Sequence, residues 1–131
     1  MSKREQEMAA DILDRMIEIR RHLHRHPELS NEEAKTQAYL KDALEKEGLA
    51  GIREVAGYGL AVDIVGEAAP SNRKVAIRAD IDALPILEES GVDFASRSPG
   101  VMHGLLGGAA DDRAFCRFGL RHPAWKKSGY G

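Results

Sequence analysis

The chain has 131 residues, enough for one domain or a part of a larger one. With 43% hydrophobic and 31% charged residues and a formal charge of -2, it reads as a soluble globular chain with no whole-chain attraction to nucleic acid or membrane surfaces. No apolar run approaches the ~18 residues of a membrane span, and the N-terminal MSKREQEMAADILDR lacks the apolar core of a secretory signal. Cys116 is the single cysteine, which excludes an internal disulfide and sets a reducing, cytoplasmic location as the expectation.

In chain order, Met8, Ile12, Met16, Ile19 and Leu23 recur at three- and four-residue steps and predict a first amphipathic helix. Glu5, Asp14, Arg15, Glu18 and Arg21 lie on its other face, and Pro27 ends it. A second helix is predicted from Ser30, with Ser30 and Glu33 spaced as a capping box. Thr36, Leu40, Ala43 and Leu44 form its inner face, and Gly48 is its C-terminal stop. The period then shortens. Residues 52–55, 60–65 and 75–79 read as strands, and GEAAPSNR at 66–73 as a loop. The expected class is α/β: two N-terminal helices packed on a small sheet of about three strands. Beyond Gly104 neither period persists, and the tail carries Arg113, Arg117, Arg121, Lys126 and Lys127 among scattered aromatics. No regular element is assigned to it. The division is thus 1–103, a structured part, and 104–131, a divergent tail.

Three groups of residues bear on chemistry. In HLHRHPE, His22 and His26 are one helical turn apart, a spacing at which two imidazoles can share a metal. A solvated helix end, where histidines suit the dipole, is the stronger reading. In RADIDALP, Asp80 and Asp82 stand at the carboxyl end of a predicted strand, where open α/β sheets place their sites. Two carboxylates are a partial site for a hard cation, and aspartates at a strand end also cap backbone amides. His103 is a lone histidine, and the Cys116/His122 spacing fits no usual zinc pattern.

Four stretches in order, RRHLHRHPELSNEEAKT (20–36), GYGLAVDIVG (57–66), VAIRADIDALPILEESGVDFAS (75–96) and PGVMH (99–103), closely resemble the start of the aminoacylase/carboxypeptidase-like metal-dependent amidohydrolases. The nearest subgroup contains the N-acyl-amino-acid, hippurate and auxin-conjugate hydrolases. The resemblance implies a longer enzyme with an α/β catalytic domain and two divalent metals, commonly zinc or manganese. It implies hydrolysis of N-acyl amino acids or peptide-like amides, with a downstream glutamate as general base on metal-bound water. It carries over Asp80, Asp82 and His103 as site-adjacent residues.

The departure follows at once. The family continues from Met-His with Ala-Cys-Gly-His-Asp-x-His, whose cysteine and first histidine are metal ligands in this subgroup. The matching positions here are Leu105 and Gly107, with Gly108 and Ala110 at the aspartate and second histidine. Leucine and glycine side chains cannot coordinate a cation. GLLGGAA after His103 matches an in-frame loss of the ligand run, whereas the basic tail matches a change of reading frame; a diverged small protein whose tail has its own purpose is the third alternative. The expectation is a family fragment, truncated or frameshifted after His103, that is inactive as this chain. Divalent metal and an N-acyl amino acid are its family ligands. Self-association or pairing with a full-length relative is the non-enzymatic alternative, because a cut α/β sheet exposes strand edges.

Overall fold

A computed structural model describes residues 3–66 and 74–104. It contains α1 (Lys3–Arg25), α2 (Ala34–Lys46), β1 (Arg53–Val55) and β2 (Gly59–Ala61). Helix α1 stops just before Pro27, as the imino acid requires. The inner face of α1 differs from expectation. Ile12, Met16, Ile19 and Leu23 are half-buried, while the fully covered positions are the polar Arg20 and His24 one turn apart.

The start of α2 also departs from the sequence reading. The helix begins at Ala34 rather than Ser30, and no side chain of its own cap residue, Glu33, bonds to it. Asn31 takes a left-handed backbone (φ 66°), and the Glu32 amide donates to the Leu29 carbonyl at 2.9 Å. That tight turn removes residues 30–33 from the helix. The cap comes instead from Glu28, whose carboxylate accepts from the Thr36 amide at 2.7 Å and from the Lys35 amide at 3.3 Å. An anion at orphan N–H groups offsets the helix dipole, so a residue outside the helix does the work expected of Ser30. At the other end Gly48 (φ 80°) donates its amide to the Glu45 carbonyl and turns the chain, as predicted.

Strands β1 and β2 pair antiparallel, with Glu54 opposite Leu60. The reversal uses left-handed Ala56 (φ 49°) and Gly57 (φ 86°). Helix α2 lies against this hairpin through Gln37, which donates to the Gly57 carbonyl, and the Lys41–Glu54 ion pair at 2.9 Å. Helix α1 meets α2 where His22 stacks on Tyr39, ring centroids 3.8 Å apart. This is a partial α/β domain. Its sheet has two strands among the described residues rather than three, because residues 75–79 are extended but pair with no other described residue. A sequence pattern sets strand propensity, but a strand needs a partner's N–H and C=O groups. No described helix is long and apolar enough to cross a membrane.

The buried hydrophobic residues among those described are Ala43, Ala83 and Phe94, alongside a polar set of Arg20, His24, Glu33, Thr36 and His103. This set is thus largely polar; Arg20, His24, Ala83, Phe94 and His103 lie at the C-terminal half of α1 and in residues 83–103, while Glu33, Thr36 and Ala43 belong to α2 and its start.

Candidate functional site

Two isolated bridges assemble the site. Leu29 pairs parallel to Ala83, whose amide donates to the Glu28 carbonyl at 2.8 Å. Leu84 pairs antiparallel to Met102, with both amide–carbonyl bonds formed at 2.9 and 3.0 Å. The segments HPEL, DALP and VMH are distant in sequence and lie side by side here. Ala83 is 2% exposed, so only a small side chain suits the centre of this junction.

Behind the junction lies a buried hydrogen-bonded pair. His24 is fully buried, and its Nε2 is 2.7 Å from Glu88 Oε1, with the Glu88 side chain 7% exposed. The Ser96 amide donates to Glu88 Oε2 at 2.6 Å, and the Ser90 hydroxyl donates to Oε1. Phe94 meets the His24 ring edge-on at 5.5 Å, and the guanidinium groups of Arg20 and Arg21 lie 5.1 and 4.8 Å from its centroid. The Ser96 hydroxyl donates to the Val101 carbonyl at 2.7 Å, and the Arg97 amide to the Arg25 carbonyl at 3.0 Å. Glu88 therefore ties α1 to the loop that leads into His103.

Burial works to raise the Glu88 carboxyl, but the bonds from Ser90, Ser96 and His24 together outweigh it and hold the group below 4.5. His103 is 6% exposed. Burial, then the neighbouring His24, lower its affinity for a proton below the usual 6.5; a ring hydrogen bond to the Asp82 backbone and the Asp82 charge oppose this. His22 is lowered in the same direction, by burial first and then by His26 and Arg25. A buried nitrogen on each of two rings, His24 Nδ1 and His103 Nε2, has no hydrogen-bond partner among the described residues.

The lowered histidines give a pH prediction. A histidine with a folded value below 6.5 binds its proton more readily when unfolded, so stability is constant above that value and falls as pH drops below it. Glu88 adds a second loss below 4.5, where its depressed carboxylate becomes protonated. Urea titrations between pH 7.5 and 5 are expected to show falling unfolding free energy, with a shallower slope in H22Q/H103Q. An unchanged slope in that variant would remove these histidines as the cause.

The residues singled out in the sequence separate into two groups. Asp82 and His103 come together. Asp80 is exposed and forms an ion pair with Arg78 at 2.6 Å. The His22 and His26 rings sit 4.8 Å apart, with His22 engaged by Tyr39. No group of three His, Cys, Asp or Glu side chains that could hold a metal occurs among the described residues. Leu105, Gly107, Cys116 and His122, with the 104–131 tail beyond its first residue, lie outside the described residues. Sequence reading missed Glu28, Glu88, Phe94 and Ser96. The available signal was the i, i+4 spacing of Arg20 and His24, but their polarity concealed a buried stripe.

No family model matches the chain. It is 46% identical over 88 residues to an N-acetyl-L-cysteine deacetylase of Bacillus subtilis, an alignment covering 67% of this chain and 21% of that protein. It is 44% identical over 88 residues to an N-acyl-L-amino acid amidohydrolase of Geobacillus stearothermophilus, covering 67% and 23%. Among solved structures it resembles a dinuclear metal-binding peptidase of the M20 family from Bacillus subtilis, with TM-score 0.64 and 41% identity over 72% of this chain and 26% of that one. The chain spans about a quarter of the length of the relatives it matches. With motifs in order, identity above 40% and a shared backbone, this chain is a partial member of the M20 amidohydrolase and peptidase family.

Proposed function

We propose that the chain is a fragment of a cytoplasmic, metal-dependent N-acyl-amino-acid amidohydrolase, and that alone it neither retains the metals nor hydrolyses amides. The observation that carries the reading is a mismatch. Asp82, His103 and the His24–Glu88 pair are assembled as a supporting framework, yet Leu105 and Gly107 occupy the positions where the resemblance requires a cysteine and a histidine. The donor set does not fit a pair of zinc or manganese ions, since hard and borderline cations need several O, N or S donors. Asp82 and His103 are site-adjacent residues in this reading, and Asp80 joins them only through its place in the motif.

The test is direct. The full chain is incubated with Zn²⁺ or Mn²⁺, desalted, and assayed for bound metal and for release of free amino acid from N-acetyl amino acids. Metal well below one equivalent and no turnover are expected. Stoichiometric metal with turnover would overturn the reading. The origin of the tail is read from the encoding DNA through and beyond codon 103. A second frame carrying the Ala-Cys-Gly-His-Asp run makes the tail a frameshift product; no such frame leaves an in-frame loss or a long-diverged tail. A non-enzymatic assembly role is the second reading, favoured by the exposed apolar residues of 74–80.

A further inference from the structure

Residues 74–80, KVAIRAD, are extended and exposed along their whole length and make no backbone hydrogen bond to another described residue. Val75 is 88% exposed and Ile77 64%. Successive side chains of an extended segment point to opposite sides. Val75, Ile77 and Ala79 therefore share one face, and Lys74, Ala76, Arg78 and Asp80 the other. The 2.6 Å ion pair between Arg78 and Asp80 places those two on a common side. Unpaired N–H and C=O groups beside an apolar face form a template for another strand.

We propose that this segment is a self-pairing edge, and that two copies of the chain associate by antiparallel addition of 74–80 to 74–80 about a twofold axis at Ile77. The charge order argues for this occupant and this register. Centred on Ile77, the pairing sets Ile77 against Ile77, Val75 against Ala79, and Lys74 against Asp80 at both ends. Opposite charges facing across strands stabilise the pair, and like charges destabilise it. Sliding by two residues in one direction puts Arg78 against Arg78, and in the other puts Lys74 against Arg78 twice. Sliding by one residue opposes the apolar face to the charged one. Only one of these registers satisfies both faces, and it is isologous, so it closes as a dimer. The inference does not depend on whether the chain hydrolyses anything.

A single strand pair lies at the low end of interface size, so a dissociation constant on the order of 10 to 100 µM is expected. Sedimentation velocity on the full chain from about 5 to 500 µM should show a monomer–dimer equilibrium in that range. K74D and D80K should each weaken it about tenfold by setting like charges opposite one another, and K74D/D80K should restore it to within about threefold. Far-UV circular dichroism checks that the helices are unchanged. In a C116S background, I77C should form a disulfide-linked dimer on mild oxidation. V75C and A79C should not do so alone but should cross-link when mixed. A monomer at every concentration, association indifferent to the charge swaps, or cross-linking without this pairing pattern would overturn the proposal. So would pairing only with a separately produced remainder of an M20 catalytic domain.

Discussion

Glu88→Ala is expected to lower the unfolding free energy by about 2–5 kcal/mol, the scale for leaving two buried hydrogen-bond donors without their acceptor. The loss has two parts. His24, fully buried, is left with no acceptor for Nε2, and the Ser96 amide loses its 2.6 Å partner. A buried donor left unpaired costs about 1–3 kcal/mol by itself. The loss is a large fraction of the roughly 5–15 kcal/mol that holds an ordinary domain folded. Glu88→Gln keeps the shape and one acceptor oxygen, so about 1–2 kcal/mol is expected instead. Urea unfolding at pH 7.5 measures both variants, and hydrogen exchange at the Ser96 amide localises the change. If Glu88→Ala stayed within ~0.5 kcal/mol of the parent, the level of an ordinary surface change, the pair would not be holding the loop to α1.

Phe94→Ala is expected to cost about 3–5 kcal/mol, the range for truncating a buried aromatic ring. Phe94 is the largest buried apolar side chain among the described residues, the others being Pro27, Ala43 and Ala83. The cavity would therefore open beside His24 with little else able to collapse into it. The ring also receives Arg20 and Arg21 over its face. Each such contact is worth about 0.5–1 kcal/mol where partly exposed. Phe94→Leu retains most of the volume and should cost less than half as much. A double-mutant cycle with Arg21→Ala isolates the ring–cation part, with a coupling of about 0.5–1 kcal/mol expected. A coupling of zero would show that the arginine merely lies near the ring.

Much of the framework was legible in the sequence because its causes are local. The 3.6-residue spacing of apolar positions marks α1, Pro27 ends it, and Gly48 ends α2, each through the backbone of its own neighbourhood. The beginning of α2 was not legible. Ser30 and Glu33 fit a capping pattern, but the left-handed Asn31 and the incoming carboxylate of Glu28 decide where the helix starts. Capping by a residue outside the helix depends on how the chain turns there, which spacing alone does not express. The third strand failed for a related reason. Val75 and Ile77 have strand propensity, but pairing requires a second edge at the right place.

The sequence by itself carried the resemblance to the family, through four motifs in order, and the proposed departure from it, Leu105 and Gly107 standing where the resemblance expects metal ligands. Both follow from residue identity, since whether a side chain can donate to a metal is a property of its atoms. Tertiary structure alone decided that Asp82 and Asp80 part company, one beside His103 and the other held by Arg78 at the surface. It also decided which of three alternating histidines is buried. His24 enters the interior because Glu88, 64 residues further along the chain, meets it there, its carboxylate also held by the Ser90 hydroxyl and the Ser96 amide. A buried imidazole persists only where such a partner offsets its lost hydration, and the chain must fold before that partner is near.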